Sequence, residues 1–148
     1  MPYLRITCPF IDQNQRQQIA EALTVAINDL FYNPKGRFTR EELRDRTTIH
    51  FFPYSEGDVF IGGRTPSDRG QPDVTIELSD WGMSVRQQRK VAVQLTPQIA
   101  KLFAIDERDF DAINIRFHSY PPTDFALGGR LLSDVIPKIA QVMKRMFG

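Results

Sequence analysis

At 148 residues the chain has the size of one domain with a substantial core. Its 41% hydrophobic and 25% charged residues are ordinary globular values, and 19 Lys+Arg against 18 Asp+Glu leave a net charge of +1, which gives no argument for nucleic acid or an acidic membrane surface as partner. Cys8 is the single cysteine, which excludes an internal disulfide and fits a reducing, cytoplasmic setting; no stretch approaches the roughly 20 apolar residues of a membrane span, and the first residues do not read as a signal peptide.

In chain order, Leu4, Ile6 and Cys8 alternate with Tyr3, Arg5 and Thr7, the period of a strand. Ile19, Leu23, Ile27 and Leu30 then recur at helical spacing, with Asp12 or Asn14 available as cap and Asn33-Pro34 as stop. Residues 47–53 form a second strand, with Ile49 and Phe51 on one face and Thr48, His50 and Phe52 on the other. SEGD turns the chain into a short strand, VFIGG. The same order follows again: strand 73–79, helix 84–103 with Pro97 expected to kink it, strand 112–119, and short strand 124–129. Ser133-Asp134 is expected to cap a last helix over 134–147.

The second half is a copy of the first. DVFIGGRTPSD (58–68) matches DFALGGRLLSD (124–134) at an offset of 66, which continues back through TIHFFPY and NIRFHSY. AEALTVAINDLF (20–31) matches AVQLTPQIAKLF (92–103) at an offset of 72, so the first copy carries six extra residues within 33–46. PYLRITC and PDVTIEL face one another at an offset of 70, which sets Pro2 on Pro72. Repeat one spans about 2–68 and repeat two about 72–134 of one domain covering 1–148.

Strands joined by a helix pair in parallel through a right-handed crossover. Two such units give an α/β fold with a four-stranded mixed sheet and both helices on one face. The other face would carry Tyr3, Arg5, Thr7, Thr48, His50, Phe52, Asn114, Arg116 and His118. That mixture is too polar for a dry core and too aromatic for a solvated surface. Other copies of the chain, related by symmetry, are its expected cover.

Pro2 has two readings. Proline lacks a ladder N–H and suits the first position of a strand. If Met1 is removed, however, Pro2 nitrogen becomes a free secondary amine held in direction by the strand behind it. With Pro2 after Met1, the doubled β-α-β unit, the FIGG and ALGG hairpins and the second-strand segments TTIHFFP and INIRFHSY, the chain resembles the tautomerase superfamily over about residues 2–134. That superfamily includes 4-oxalocrotonate tautomerase, macrophage migration inhibitory factor, the chloroacrylic acid dehalogenases and malonate semialdehyde decarboxylase.

The resemblance implies a homotrimer of doubled units, an amino-terminal proline as the acid–base group where subunits meet, and no cofactor. The activity implied is keto–enol tautomerisation of a small enol or 2-oxo acid. The alternatives are dehalogenation, hydration or decarboxylation of a three-carbon acid, and a non-catalytic trimeric binding protein. An amine has a reference pKa near ~8, and burial or a nearby cation lowers it towards use as a base at pH 7. A cation must hold the substrate carboxylate. FIDQNQ (10–15) and SDWGMS (79–84) contain no basic residue, so the paired arginines of the cis-dehalogenase and decarboxylase branches are missing.

Asn114 falls at the second-strand position of the family's site, and Arg116 follows on the same face. Lys35 and Arg37 in the inserted loop are further candidate anion holders. Trp81 falls at the loop lining the family's pocket mouth, and Phe125 at its pocket phenylalanine. Each has a plainer reading. Arg116 suits an inter-subunit ion pair, Asn114 a sheet-edge hydrogen bond, Lys35 and Arg37 solvated loop charges, and Trp81 a surface cover. His50 and His118 lie outside any ligand-spaced motif, so no metal is expected.

Overall fold

The structure is a computed structural model and describes residues 1–36 and 38–138. In chain order the elements are β1 (Tyr3–Pro9), α1 (Gln13–Phe31), α2 (Arg40–Asp45), β2 (Thr48–Tyr54), α3 (Pro66–Arg69), β3 (Val74–Trp81), α4 (Val85–Leu102), β4 (Ile113–Tyr120), β5 (Ala126–Leu127), β6 (Arg130–Leu131) and α5 (Leu132–Val135). The main sheet has the order β2-β1-β3-β4. β1 runs parallel to β2 and β3 parallel to β4, and the two units meet antiparallel at β1 and β3.

The strand alternation read from the sequence decides which face is dry. Leu4, Ile6 and Cys8 of β1 and Val74, Ile76 and Leu78 of β3 are all at 0% exposure. They meet Ile19, Leu23 and Ile27 of α1 and Val91, Leu95 and Ile99 of α4 in one cluster, so both long helices cover the same face. Each such aliphatic side chain contributes roughly 1.5–3 kcal/mol on burial. Asp12 rather than Asn14 caps α1, in a reciprocal box with Gln15. The helix ends at Phe31, two residues ahead of Asn33-Pro34. α4 continues through Pro97 as one helix.

The register corrects one sequence alignment. Tyr3 stands beside Thr48 and Thr75 beside Asn114, and Thr48 and Asn114 are equivalent in the repeat. Tyr3 therefore matches Thr75, an offset of 72, the same as for the helices. Pro2 falls on Val74 and not on Pro72. The offset of 70 kept the strand phase, because it differs from 72 by one full pleat, and so looked equally regular.

The GG pairs sit in two-residue turns. Ile61 bridges Arg64, and Leu127 pairs with Arg130. Gly62 and Gly63 have φ of 60° and 77°, and Gly128 and Gly129 have 57° and 79°, values that side chains resist. The expected strand VFIGG is thus a single bridge, and 124–129 divides between a 3-10 turn, Pro122–Asp124, and the first arm of a hairpin. α3 and α5 are also equivalent at an offset of 66, so the repeat runs on through them. α5 begins at Leu132 without a side-chain cap, and Ser133 and Asp134 lie inside it. The expected helix over 134–147 otherwise lies largely outside the described residues.

The six-residue insertion carries α2. Asn28, fully buried in α1, donates from Nδ2 to the Arg40 carbonyl at 2.6 Å and accepts from Arg40 Nη1 at 3.2 Å. Arg40 also pairs with Asp29, and its guanidinium lies 4.3 Å from the Tyr32 ring centroid. These contacts tie the inserted segment to α1 and fix where it delivers the chain to β2.

Candidate active site

Pro2 is buried at the start of β1, and its carbonyl accepts from the Thr48 N–H at 3.1 Å. With Met1 in place the chain's terminal amine is that of Met1. It donates to Asp80 Oδ1 at 2.5 Å, in an ion pair whose carboxylate is almost fully buried. The antiparallel register, with Tyr3 opposite Ser79, brings Pro2 and Asp80 to facing positions. Asp80 was missed in the sequence, although a signal was present. It occupies the next core-facing position after Val74, Ile76 and Leu78, where an apolar residue is due.

The start of β1, the start of β2 and the ends of β3 and β4 share one end of the sheet. The inserted segment enters β2 there. Its Arg46 donates from Nη1 towards Met1 Sδ at 3.6 Å, and its guanidinium lies 4.7 Å from the Phe38 ring centroid. Among the described residues this is the cation that the structure places against the amino terminus. Lys35 belongs to the same segment and is exposed, in a turn where its N–H donates to Asn33 Oδ1. Arg37 lies outside the described residues.

Trp81 and Phe125 come to this same end. Trp81 follows Asp80 and stands beside Tyr120 in the ladder. The Phe125 ring stacks on that of Tyr120 with centroids 6.0 Å apart. Burial, and then the charge of Asp80, push the Tyr120 hydroxyl up to about 12, so it stays a proton donor at neutral pH. The cluster thus offers a terminal amine, a carboxylate, a phenol and a guanidinium beside aromatic rings. Such a set can hold an anion and move a proton.

Asn114 and Arg116 lie elsewhere in the protomer. Asn114 is near the opposite end of the sheet, where its Nδ2 donates to Asp73 Oδ1 at 3.2 Å. Arg116 is exposed on the open face, beside Glu77 in the ladder. Glu77 lies 3.6 Å from Arg5 Nε and 3.5 Å from His118 Nε2. Next to them, Arg5 covers the Phe52 ring at 4.2 Å, and the Tyr3 hydroxyl is 3.0 Å from His50 Nδ1.

Burial pushes the Cys8 thiol up to about 11, which leaves it a protonated core group and no nucleophile. Tyr54, also raised by burial, accepts from the Asp73 N–H at 3.0 Å and so ties the end of β2 to the start of β3. An open groove there is lined by Pro9, Phe10, Tyr54, Pro66, Gly70 and Pro72. Pro72 therefore belongs to the end of the sheet remote from Pro2. Among the described residues no helix is long and apolar enough to cross a membrane, and no three His, Cys, Asp or Glu side chains are grouped to hold a metal.

No protein-family model and no curated protein sequence matches the chain. Solved structures do. A wild-type fused 4-OT, F6, in an asymmetric trimer, superposes with a TM-score of 0.73 at 20% identity, over 91% of this chain and 99% of that one. Pt0534, inactivated by 2-oxo-3-pentynoate, gives 0.73 at 12% identity, over 91% and 99%. N1, a member of the cis-3-chloroacrylic acid dehalogenase family, gives 0.67 at 18% identity, over 98% and 99%. The chain has the tautomerase-superfamily fold, in the doubled β-α-β form of the fused 4-OT proteins.

Proposed function

We propose that the chain is a cofactor-independent keto–enol tautomerase of small enol or 2-oxo acids. It would work as a cytoplasmic homotrimer, with Pro2 as the acid–base group once Met1 is removed. The observation that carries this reading is the placement of Pro2. It is buried at a sheet end that also gathers Asp80, Trp81, Tyr120 and Phe125, with Arg46 at the chain terminus. The fold supports it, as does the inactivation of one structural neighbour by a 2-oxo acid. Arg46 takes the role of carboxylate holder, with Lys35 and Arg37 of the same segment as further candidates. Asn114 and Arg116, remote from Pro2 within the protomer, act only from a neighbouring subunit, and the trimer supplies that route.

In the reaction Pro2 nitrogen exchanges a proton with the carbon next to the carbonyl, while a donor such as the Tyr120 hydroxyl steadies the oxygen on which charge develops. The test has two parts. Intact mass of the native protein is expected to show Met1 absent. Turnover of an arylpyruvate enol is expected in the wild type and is expected to fall at least ~100-fold in Pro2→Ala, the size of a general acid–base contribution. Retained Met1, or unchanged turnover in Pro2→Ala, overturns the reading.

A further inference from the structure

We propose that Asp80 is the fixed counter-ion of the chain's terminal nitrogen and holds it as a cationic proton donor. The inference rests on the reading above for the identity of that nitrogen as Pro2. Three observations carry it. First, Asp80 is the one carboxylate in the buried row of β3, at 2% exposure. A carboxylate in such a place is retained only against a partner, since an unpaired buried charge costs several kcal/mol. Second, the partner is already visible, because the terminal amine lies 2.5 Å from Asp80 Oδ1 with Met1 in place. Third, the register sets Pro2 directly across from Asp80, so removal of Met1 moves the charge one residue inward, towards the same carboxylate.

The repeat isolates the feature. The equivalent of Asp80 in the first copy is Cys8, an apolar core group. The carboxylate therefore appears only in the copy whose strand end meets the chain terminus.

Among the described residues, three neighbouring elements bring charged or titratable groups to this end of the sheet. Asp80 comes from β3, Tyr120 from the end of β4, and Arg46 from the segment before β2. Tyr120 is neutral at pH 7. Arg46 opposes the cation, but its contact is to the Met1 sulfur and not to the amine, which is paired with Asp80. The charge in contact with the terminal amine is negative. Asp80 is a positioning residue and acts through the nitrogen.

The chemical consequence is the protonation state in which the cycle begins. A cationic Pro2 gives its N–H proton to the carbon of an enol, the enol hydroxyl loses its proton to water, and the neutral amine takes a proton back from solvent. The resting site is then in the form that protonates an enol, and the keto–enol equilibrium itself is unchanged.

The experiment labels the terminal residue, identified by intact mass, with 15N and titrates that nitrogen by NMR in the wild type and in Asp80→Asn. The expected midpoint in the wild type is above the ordinary ~8 of an α-amino group. It is expected to drop by about one to two pH units in the variant. A wild-type midpoint at or below ~8, or the same midpoint in both proteins, overturns the proposal. If Asp80→Asn does not fold, the wild-type midpoint decides alone. The titration needs no turnover, so an inactive protein with a raised midpoint refutes the tautomerase reading and keeps the counter-ion, whereas an active protein with an unshifted midpoint does the reverse. In an active protein, the alkaline limb of kcat/KM moves to lower pH in Asp80→Asn.

Discussion

Arg46 lies against Met1, with its Nη1 3.6 Å from the sulfur and its guanidinium packed on the Phe38 ring. The contact is weak in itself and informative in its placing. On the proposed removal of Met1, this guanidinium would face the space that the Met1 side chain vacates. Charged hydrogen bonds contribute about 1.5–3 kcal/mol, so Arg46→Ala is expected to raise KM for an enol carboxylate roughly 10- to 100-fold. Lys35→Ala is expected to change it little. Equal effects from both would assign the anion site to the loop as a whole.

Cys8 gives a pH dependence with a definite sign. Burial raises its thiol from the ordinary 9.0 to about 11 in the folded chain. Above its unfolded value, the unfolded chain ionises and the folded chain does not. The contribution is therefore fully present below pH 9 and is lost progressively as pH rises towards 11. Urea titrations at pH 8 and pH 10.5 are expected to show a fall in stability that is smaller in Cys8→Ala. A variant with the same fall would assign the loss to other groups.

Much of this architecture was legible because two periodicities and one duplication carry it. The alternation in β1 and β3 and the helical spacing of Ile19, Leu23 and Ile27 identified the core face directly. The end of the sheet was harder to read, because proximity there is set by register. The offset of 70 preserved every inward-facing position and still misplaced Pro2 by one pleat. Asp80 and Arg46 are separated from Pro2 by long stretches of chain and belong to no spaced motif. Only the antiparallel ladder and the inserted helix bring them to the terminus. Trp81 and Phe125, named from resemblance, arrive at that end, whereas Asn114 does not.

The core makes a direct prediction. Leu23 is fully buried among the residues that join α1 to the sheet. Leu23→Ala is expected to destabilise the chain by about 2–5 kcal/mol, with an unchanged denaturant slope, in chemical unfolding. A loss under ~1 kcal/mol would mean that this helix is not closed over the sheet.

The hairpin turns predict a smaller effect of different origin. Gly129 has φ of 79° and nothing within 4 Å of the position a Cβ would take. Space is thus not limiting, and the backbone conformation is. Gly129→Ala is expected to cost about 1–2 kcal/mol, whereas Gly129→Asn, which tolerates that region better, is expected to cost less. The order of the two variants in thermal melts checks it.

Phe52 tests the assembly. It is 41% exposed on the open face of the sheet, under the Arg5 guanidinium, with His50 and Tyr3 nearby. In an isolated chain that position tolerates a polar residue with little cost. In the proposed trimer the same face packs on other copies, where a Glu beside Arg5 would have to be desolvated and the apolar contact of the ring would be lost, which opposes association. Phe52→Glu is therefore expected to leave the protomer folded and to shift the sedimenting mass from three chains of 17.1 kDa each towards one. Loss of turnover with the trimer would follow if a neighbouring subunit supplies Arg116 or Asn114 to the site. Should Phe52→Glu sediment as the wild type does, the open face is not the surface on which the copies meet.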